Sequence, residues 1–246
     1  INKFVWKKKF KNFHNKINYI SPSSWMHSCA KSSTILKNMS SKKIPYPIDF
    51  DIWKINDQIS AKRKIGLNGH EKEKVIIFGS ERGSKIDRKN FIFLFEILKK
   101  ISKKIKIRLL VFGENKNNYE IDGLSINYLG HILNKEFLNS IYSSGDVLAM
   151  PSKIETFGLI GIESILSGTP CVAFLNTGLE EIVEHRVNGY LSKHSDELDY
   201  ENGLKWFLNK KEKVDLNNNR EELRKKFGNK KIYLEYFNFY KSILIN

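Results

Sequence analysis

The residues best suited to chemistry lie close together, in the stretch Pro151-Ser152-Lys153-Ile154-Glu155-Thr156-Phe157-Gly158-Leu159-Ile160-Gly161-Ile162-Glu163-Ser164. The apolar run at 146–150 reads as a buried strand, Pro151 ends it, and Gly158 opens a helix. Glycine lets a ligand come near the backbone, and the unpaired N–H groups around Gly158 and Leu159 make a site for a phosphate. Glu163, further into the helix, can accept two hydrogen bonds from a vicinal diol such as a ribose, while Glu155 stands in the loop before it. A nucleotide diphosphate sugar offers ribose, diphosphate and sugar in the order these groups require. Each glutamate also has a plainer reading. Glu163 could be a helix-surface charge, and Glu155 an N-terminal charge favoured by the helix dipole.

The elements around this stretch alternate. Val75-Ile76-Ile77-Phe78, ending at Gly79, reads as a strand, residues 91–101 carry apolar side chains at helical spacing, and 105–112 form the next strand before Gly113. A strand at 125–129, a helix at 135–143, the strand at 146–150, a helix at 158–166 and a strand at 171–174 follow. This pace predicts a doubly wound α/β domain with a mostly parallel sheet, whose ligands bind at the carboxyl ends of the strands. After Gly189 no further strand is expected. Residues 196–210 and 221–244 read as helices, the second bearing Phe227, Tyr233, Tyr236, Phe237, Phe239 and Tyr240 as a packing stripe. Near the start, 17–20 is strand-like and a helix runs from Ser21 to about Lys37. Pro45 and Pro47 make 46–70 an extended connector.

The stretch resembles the E-x7-E signature of glycosyltransferase family four, in the glycosyltransferase B (GT-B) fold. Ser167-Gly168-Thr169-Pro170, Gly178-Leu179-Glu180-Glu181, Asn188-Gly189-Tyr190-Leu191, Tyr128-Leu129-Gly130-His131-Ile132 and Tyr142-Ser143-Ser144-Gly145-Asp146 stand in the order and spacing of that family. The resemblance runs from about 17 to 191 and is dense from Val75 onward. It implies a Rossmann-like donor domain in which Glu163 binds the ribose hydroxyls and Glu155 faces the donor sugar. Phe157, Gly158 and Leu159 would present backbone to the sugar and diphosphate, and Gly130, His131 and Ile132 would lie near the base. A basic pair follows the first strand in the family, to meet charge on the leaving nucleoside diphosphate. In Gly79-Ser80-Glu81-Arg82-Gly83-Ser84-Lys85-Ile86-Asp87-Arg88-Lys89-Asn90, Lys89 matches the lysine although Asn90 replaces the expected glycine. Arg82, Arg88 and Lys85 compete for the arginine, with Arg82 preferred; Gly79 ends the strand that presents them.

The domain division expected from the resemblance is the tail of an acceptor-side domain at 1–48, a linker at 49–72, the nucleotide-sugar domain at 73–225 and a helix packing back at 226–246. Because the sequence opens on Ile1 and carries little of the acceptor side, it reads as a fragment that binds donor but transfers little sugar alone. The implied reaction is retaining transfer of a hexose from a UDP- or GDP-sugar, with no required metal or cofactor. The implied acceptor is a glycan or lipid-linked sugar of bacterial surface polysaccharide biosynthesis.

Composition narrows the setting. The 246 residues include 42 Lys and Arg against 27 Asp and Glu, a formal charge of +15. Since the lysines are spread along the chain, codon bias is the first explanation and attraction to anionic lipid or nucleic acid the second. The sequence shows no secretory leader or membrane-spanning run, which suggests a cytoplasmic protein with, at most, peripheral contact with an anionic inner membrane face. Cys29 and Cys171 lack metal-ligand neighbours and read as buried filler, arguing against a disulfide scaffold or zinc site. Two rivals remain. One is a basic nucleic-acid-binding module, for which only Phe4 to Phe13 interleaves aromatics with lysines; the other is an inactive remnant of a glycosyltransferase.

Overall fold

A computed structural model describes residues 3–12, 17–70, 72–80, 87–210, 212 and 214–245. At its centre is a sheet of seven strands in the order β5-β6-β4-β3-β7-β8-β9. The strands are β3 (Lys74–Gly79), β4 (Ile107–Phe112), β5 (Tyr119–Ile121), β6 (Leu124–Gly130), β7 (Val147–Met150), β8 (Cys171–Phe174) and β9 (Gly189–Ser192). Every pairing is parallel except β5 with β6, which form an antiparallel edge hairpin. The inner strands β4, β7 and β8 are buried at every residue, which explains their largely apolar runs; the exception is Arg108 near the start of β4.

Successive side chains of a strand point to opposite faces, so each face has its own core. On one face Val75, Ile77, Leu110 and Leu148 meet Ile141 and Tyr142 of α5 (Lys135–Ser144) and Ile162 and Ile165 of α6 (Leu159–Leu166). On the other face Ile76, Phe78, Leu109 and Val111 meet Leu94 and Leu98 of α4 (Phe91–Ser102) and Tyr200 and Leu204 of α7 (Glu197–Leu208). This is the doubly wound α/β architecture expected from the alternation.

Several boundaries differ from the expectation. A strand does form beyond Gly189: β9 pairs with β8, with Tyr190 buried against α7, but at four residues it is too short to show periodicity. The helix expected at 221–244 is two helices, α8 (Asn217–Phe227) and α9 (Asn229–Leu244), separated at Gly228, whose ψ of 142° is extended. The segment at 46–70 is more than an extended connector. Phe50, Trp53 and Leu67 join the core, and α3 (Gln58–Lys64) packs against α5. Cys171 is buried as expected, whereas Cys29 is exposed, because α2 (Ser24–Lys31) buries only Ala30.

Ahead of the sheet, β1 (Tyr19–Ser21) and β2 (Ser41–Lys43) pair in parallel around α2. Ile44, after β2, packs with Ile232 and Phe239 of α9, so the last helix returns to the first strands. Of the expected aromatic stripe only part is packing: Phe227 and Phe239 are buried, while Tyr233, Phe237 and Tyr240 are exposed. Helix α1 (Lys3–Asn12) has no buried residue. Phe13, Arg82 and Lys85 lie outside the described residues. No described helix is long and apolar enough to cross a membrane.

Candidate functional site

At the carboxyl ends of β3 and β7 the loops leave a cleft of about 700 Å³, lined by Tyr46, Ser80, Arg88, Lys89, Met150 and the run from Glu155 to Ile160. The loop that forms its floor is held by glycines. Gly158, at the N-cap of α6, has φ 98°, a left-handed conformation in which a Cβ would lie 2.3 Å from Leu179 Cδ2. Gly178 donates its N–H to the Glu155 carbonyl at 2.8 Å, and a Cβ on it would lie 2.3 Å from the Thr156 carbonyl oxygen. No side chain caps α6; Gly161 N turns back to the Gly158 carbonyl at 2.9 Å, and Leu159 and Ile160, whose N–H groups precede it, line the cleft wall. Ser23 secures the same loop from the front of the chain. It is fully buried, donates its hydroxyl to the Thr156 carbonyl at 2.6 Å, and caps α2 by accepting from Met26 N.

The charged groups meet across the cleft. Lys89 Nζ lies 2.8 Å from Glu155 Oε2, and each side chain is only 12% exposed. Lys89 ends a short 3-10 turn, Asp87–Lys89, and Asn90 after it has φ 58°. The position thus demands left-handed backbone, which accounts for the glycine expected there; asparagine tolerates that conformation better than most residues with a side chain. The two loops are tied by Lys153 N donating to the Arg88 carbonyl at 2.9 Å and by the Lys153–Asp87 ion pair at 3.0 Å. Arg88 lines the cleft next to Lys89, while the preferred Arg82 falls outside the described residues. Ser80, 1% exposed, has a hydroxyl with no hydrogen-bond partner among the described residues.

Glu163 lies one turn beyond Leu159 on α6, and an i, i+4 pair shares one helix face. Glu163 is not itself among the residues lining the cleft. Its Oε2 accepts a hydrogen bond from the hydroxyl of fully buried Tyr142 at 3.0 Å. Burial pushes its carboxyl up to about 7, against the opposing pull of the Tyr142 hydrogen bond and the Lys135 charge.

Lys89, Glu155, Phe157, Gly158 and Leu159 are thus brought together. Phe157 is buried and packs edge-on against Tyr46 and Phe227, so it contributes support and backbone rather than an open ring. Gly79, Gly130, His131 and Ile132 occupy the same sheet edge but do not line the cleft. Gly79 makes room for the Phe112 ring, since a Cβ would sit 2.2 Å from Phe112 Cζ. Gly130 has φ 69° and accepts from Gly113 N, His131 is exposed, and Ile132 packs half-buried on the core. The contributions of Ser23, Tyr46 and Tyr142 were missed by sequence reasoning, for each acts through a partner distant in sequence, and that of Ser80 because its burial is set by packing. Among the described residues no group of three or more His, Cys, Asp or Glu gathers as metal ligands.

A family profile described as "Glycosyl transferases group 1" matches residues 73–210, more than half of the chain. An uncharacterized glycosyltransferase of Methanocaldococcus jannaschii is 30% identical over 154 residues, covering 58% of this chain and 37% of its own length. An uncharacterized 41.2 kDa protein in the cps region of Klebsiella pneumoniae is 27% identical over 199 residues, covering 78% of this chain and 53% of its own length. The chain thus spans about half or less of these relatives. Among solved structures, sucrose-phosphate synthase of Thermosynechococcus elongatus superposes with a TM-score of 0.75 at 20% identity, over 98% of this chain and 61% of that one. Anabaena HepE in complex with UDP and glucose superposes with a TM-score of 0.67 at 18% identity, over 91% of this chain and 62% of that one. The architecture is that of GT-B glycosyltransferases, and the chain belongs to the glycosyl transferases group 1 family.

Proposed function

We propose that this chain is the donor-holding part of a retaining glycosyltransferase that moves a hexose from a UDP- or GDP-sugar to a glycan or lipid-linked acceptor. The observation that carries the reading is the convergence of Lys89, Glu155 and the uncapped start of α6 on one cleft. In this reading Glu163 accepts the ribose hydroxyls, the N–H groups after Gly158 hold the diphosphate, and Glu155 takes sugar hydroxyls. Charge building on the leaving nucleoside diphosphate is met by Lys89, Arg88 and the α6 dipole, without a required divalent metal. Ser80, a buried hydroxyl with no partner among the described residues, adds a donor beside them. Residues 73–225 are the nucleotide-sugar domain in this proposal, with 1–48 and 226–246 belonging to the acceptor side of a longer enzyme. A role in bacterial surface polysaccharide synthesis is supported by the relative encoded in a cps region. Contact with an anionic membrane and absence of a nucleic-acid partner remain part of the proposal.

Calorimetric titration of the chain with UDP and with GDP tests it. Binding of one nucleotide is expected, weakened roughly tenfold in Glu163→Gln, where a charged acceptor becomes a neutral amide. Failure of both nucleotides to bind would overturn the reading.

A further inference from the structure

The Lys89–Glu155 pair joins the two groups that the proposed function assigns to different parts of the donor. Lys89 Nζ is 2.8 Å from Glu155 Oε2, and both side chains are largely withdrawn from solvent. No other hydrogen bond from the described residues engages the Lys89 ammonium. Glu155 is also held locally, its carbonyl accepting from Gly178 N and its Oε1 from Thr156 N at 3.2 Å. Its other oxygen, Oε2, is the one that Lys89 engages.

We infer that Glu155 is an internal competitor for Lys89, and that this competition makes the cleft prefer an intact sugar donor over the spent nucleoside diphosphate. The inference rests on the donor reading of the cleft. A diphosphate can take Lys89 only by displacing the carboxylate, which then loses its counter-charge beside further negative charge in a sheltered site. An attached sugar removes that penalty, because its hydroxyls donate to Glu155 Oε2 as Lys89 turns to the phosphates. A nucleoside diphosphate without sugar offers Lys89 a new partner and leaves Glu155 Oε2 without a donor. After transfer, the carboxylate regains Lys89 and favours release of the nucleotide.

The experiment measures the affinities of UDP, UDP-glucose, GDP and GDP-mannose by calorimetry on the full chain. The variants are Glu155→Gln, Glu155→Ala and the double variant Lys89→Met/Glu155→Gln. Glu155→Gln keeps the size of the side chain, and Glu155→Ala guards against a new amide contact. Both should bind the free nucleoside diphosphate about tenfold more tightly, in the usual range of coupling between two bound groups. The preference for the sugar nucleotide should shrink by a similar factor. The double variant should lose the gain, since no ammonium remains to be released. Unchanged or weaker nucleoside diphosphate binding in both single variants overturns the inference, as does a gain that survives in the double variant. If the parent chain binds nucleotide and Glu163→Gln weakens it, such a result removes only this inference. If the parent chain binds none of the four, both readings fall.

Discussion

The two ends of the parallel sheet carry similar charges and treat them differently. At the amino ends, Arg108 Nε reaches Glu73 at 2.9 Å, its Nη1 reaches Asn127 Oδ1 at 2.6 Å, and its Nη2 stands 3.2 Å from His70 Nδ1. Lys62 Nζ donates to the Glu73 carbonyl at 2.8 Å, while Asp146 takes Lys74 through one oxygen and Val75 N through the other. The remaining cavity there is about 210 Å³. At the carboxyl ends the cleft is about 700 Å³, the Ser80 hydroxyl is unmatched among the described residues, and Lys89 and Glu155 hold each other. All four helices α4, α5, α6 and α7 start on the carboxyl side of the sheet, but only some are capped by a side chain. Asn134 and Asp196, which do not line the cleft, cap α5 and α7 with their side chains, whereas α4 and α6, which start at this cleft, have no side-chain cap. A lysine-rich composition therefore says little about where an anion binds. The charged groups at the amino end are matched by protein partners, whereas the end proposed to hold the donor keeps an open cleft with the Ser80 hydroxyl unmatched among the described residues.

The largest expected effect lies at the amino end. Arg108→Ala leaves Glu73 with His70 as its side-chain partner and Asn127 Oδ1 without its donor, and loss of one partner of a largely buried pair costs about 3 kcal/mol. At about 2–4 °C per kcal/mol for a chain of this size, thermal unfolding should begin roughly 10 °C lower. Nucleotide affinity measured below that transition should stay within about twofold of the parent, as distant sites act independently. A large loss of affinity in the folded variant would break the comparison.

Lys89→Ala should show the converse. Removing a charge-assisted contact to the diphosphate is expected to weaken UDP or GDP binding by about 2 kcal/mol, roughly 30-fold. Glu155 lines a cleft of about 700 Å³, so water can enter beside the stranded carboxylate and unfolding should shift by only a few degrees. Thermal scans and titrations on the same samples would separate the two effects. A drop in stability matching that of Arg108→Ala would make Lys89 a structural residue.

The pH dependence sharpens the contrast within the binding end. Burial raises the Glu163 carboxyl to about 7 from an ordinary value of 4.5, so the folded chain takes up a proton before the unfolded chain does. Its contribution to stability is full below 4.5 and is lost as pH rises through about 7. Diol binding has the opposite sign, because the ionised carboxylate is the better acceptor. Nucleotide affinity should fall about tenfold from pH 8 to pH 6, one decade for each unit below the carboxyl's value. Phosphate titration of the nucleotide is common to all variants, and Glu163→Gln should remove the remainder. Tyr142→Phe deletes a hydrogen bond that lowers the Glu163 value, so its profile should move to higher pH. A profile unchanged in Glu163→Gln would exclude this carboxyl as its origin.

What was legible in the sequence follows from the range of the forces involved. Strands β3, β4, β7 and β8 and helix α6 are local patterns bounded by glycine or proline, and Glu155, Gly158 and Glu163 lie within one such unit. Strand β9 was missed because Tyr190 and Gly189 become strand residues only by pairing with β8. The packing within 46–70 was missed because Trp53 is drawn into the core by Tyr142, a contact that no local pattern encodes. The Tyr142–Glu163 and Ser23–Thr156 bonds are likewise long-range, joining residues 21 and 133 positions apart. No arginine stands at the usual spacing of the basic pair, which leaves Arg82, Arg88 and Lys85 in competition with Arg82 preferred; Arg82 and Lys85 lie outside the described residues, and Arg88 lines the cleft, its carbonyl held by Lys153.

Asn90 gives the smallest and most local test. Its φ of 58° and the missing side-chain cap on α4 mean that its amide is tolerated there rather than required. Asn90→Ala should destabilise by about 1 kcal/mol, because alanine bears the full steric penalty of left-handed backbone. Asn90→Gly removes that penalty but gains freedom when unfolded, so these effects nearly offset and stability should change by less than about 0.5 kcal/mol. Denaturant midpoints resolve this ordering. The substitutions also probe the cleft, since Asn90 follows Lys89 directly and sets the direction in which the chain leaves the 3-10 turn. Asn90→Gly should therefore leave nucleotide affinity intact, and Asn90→Ala should weaken it a fewfold by tilting the Lys89 ammonium away from the phosphates. Equal stability of the two variants would mean that the turn relaxes out of the left-handed region, and the resemblance to a lysine–glycine pair would then be one of sequence position without the backbone geometry that explains it.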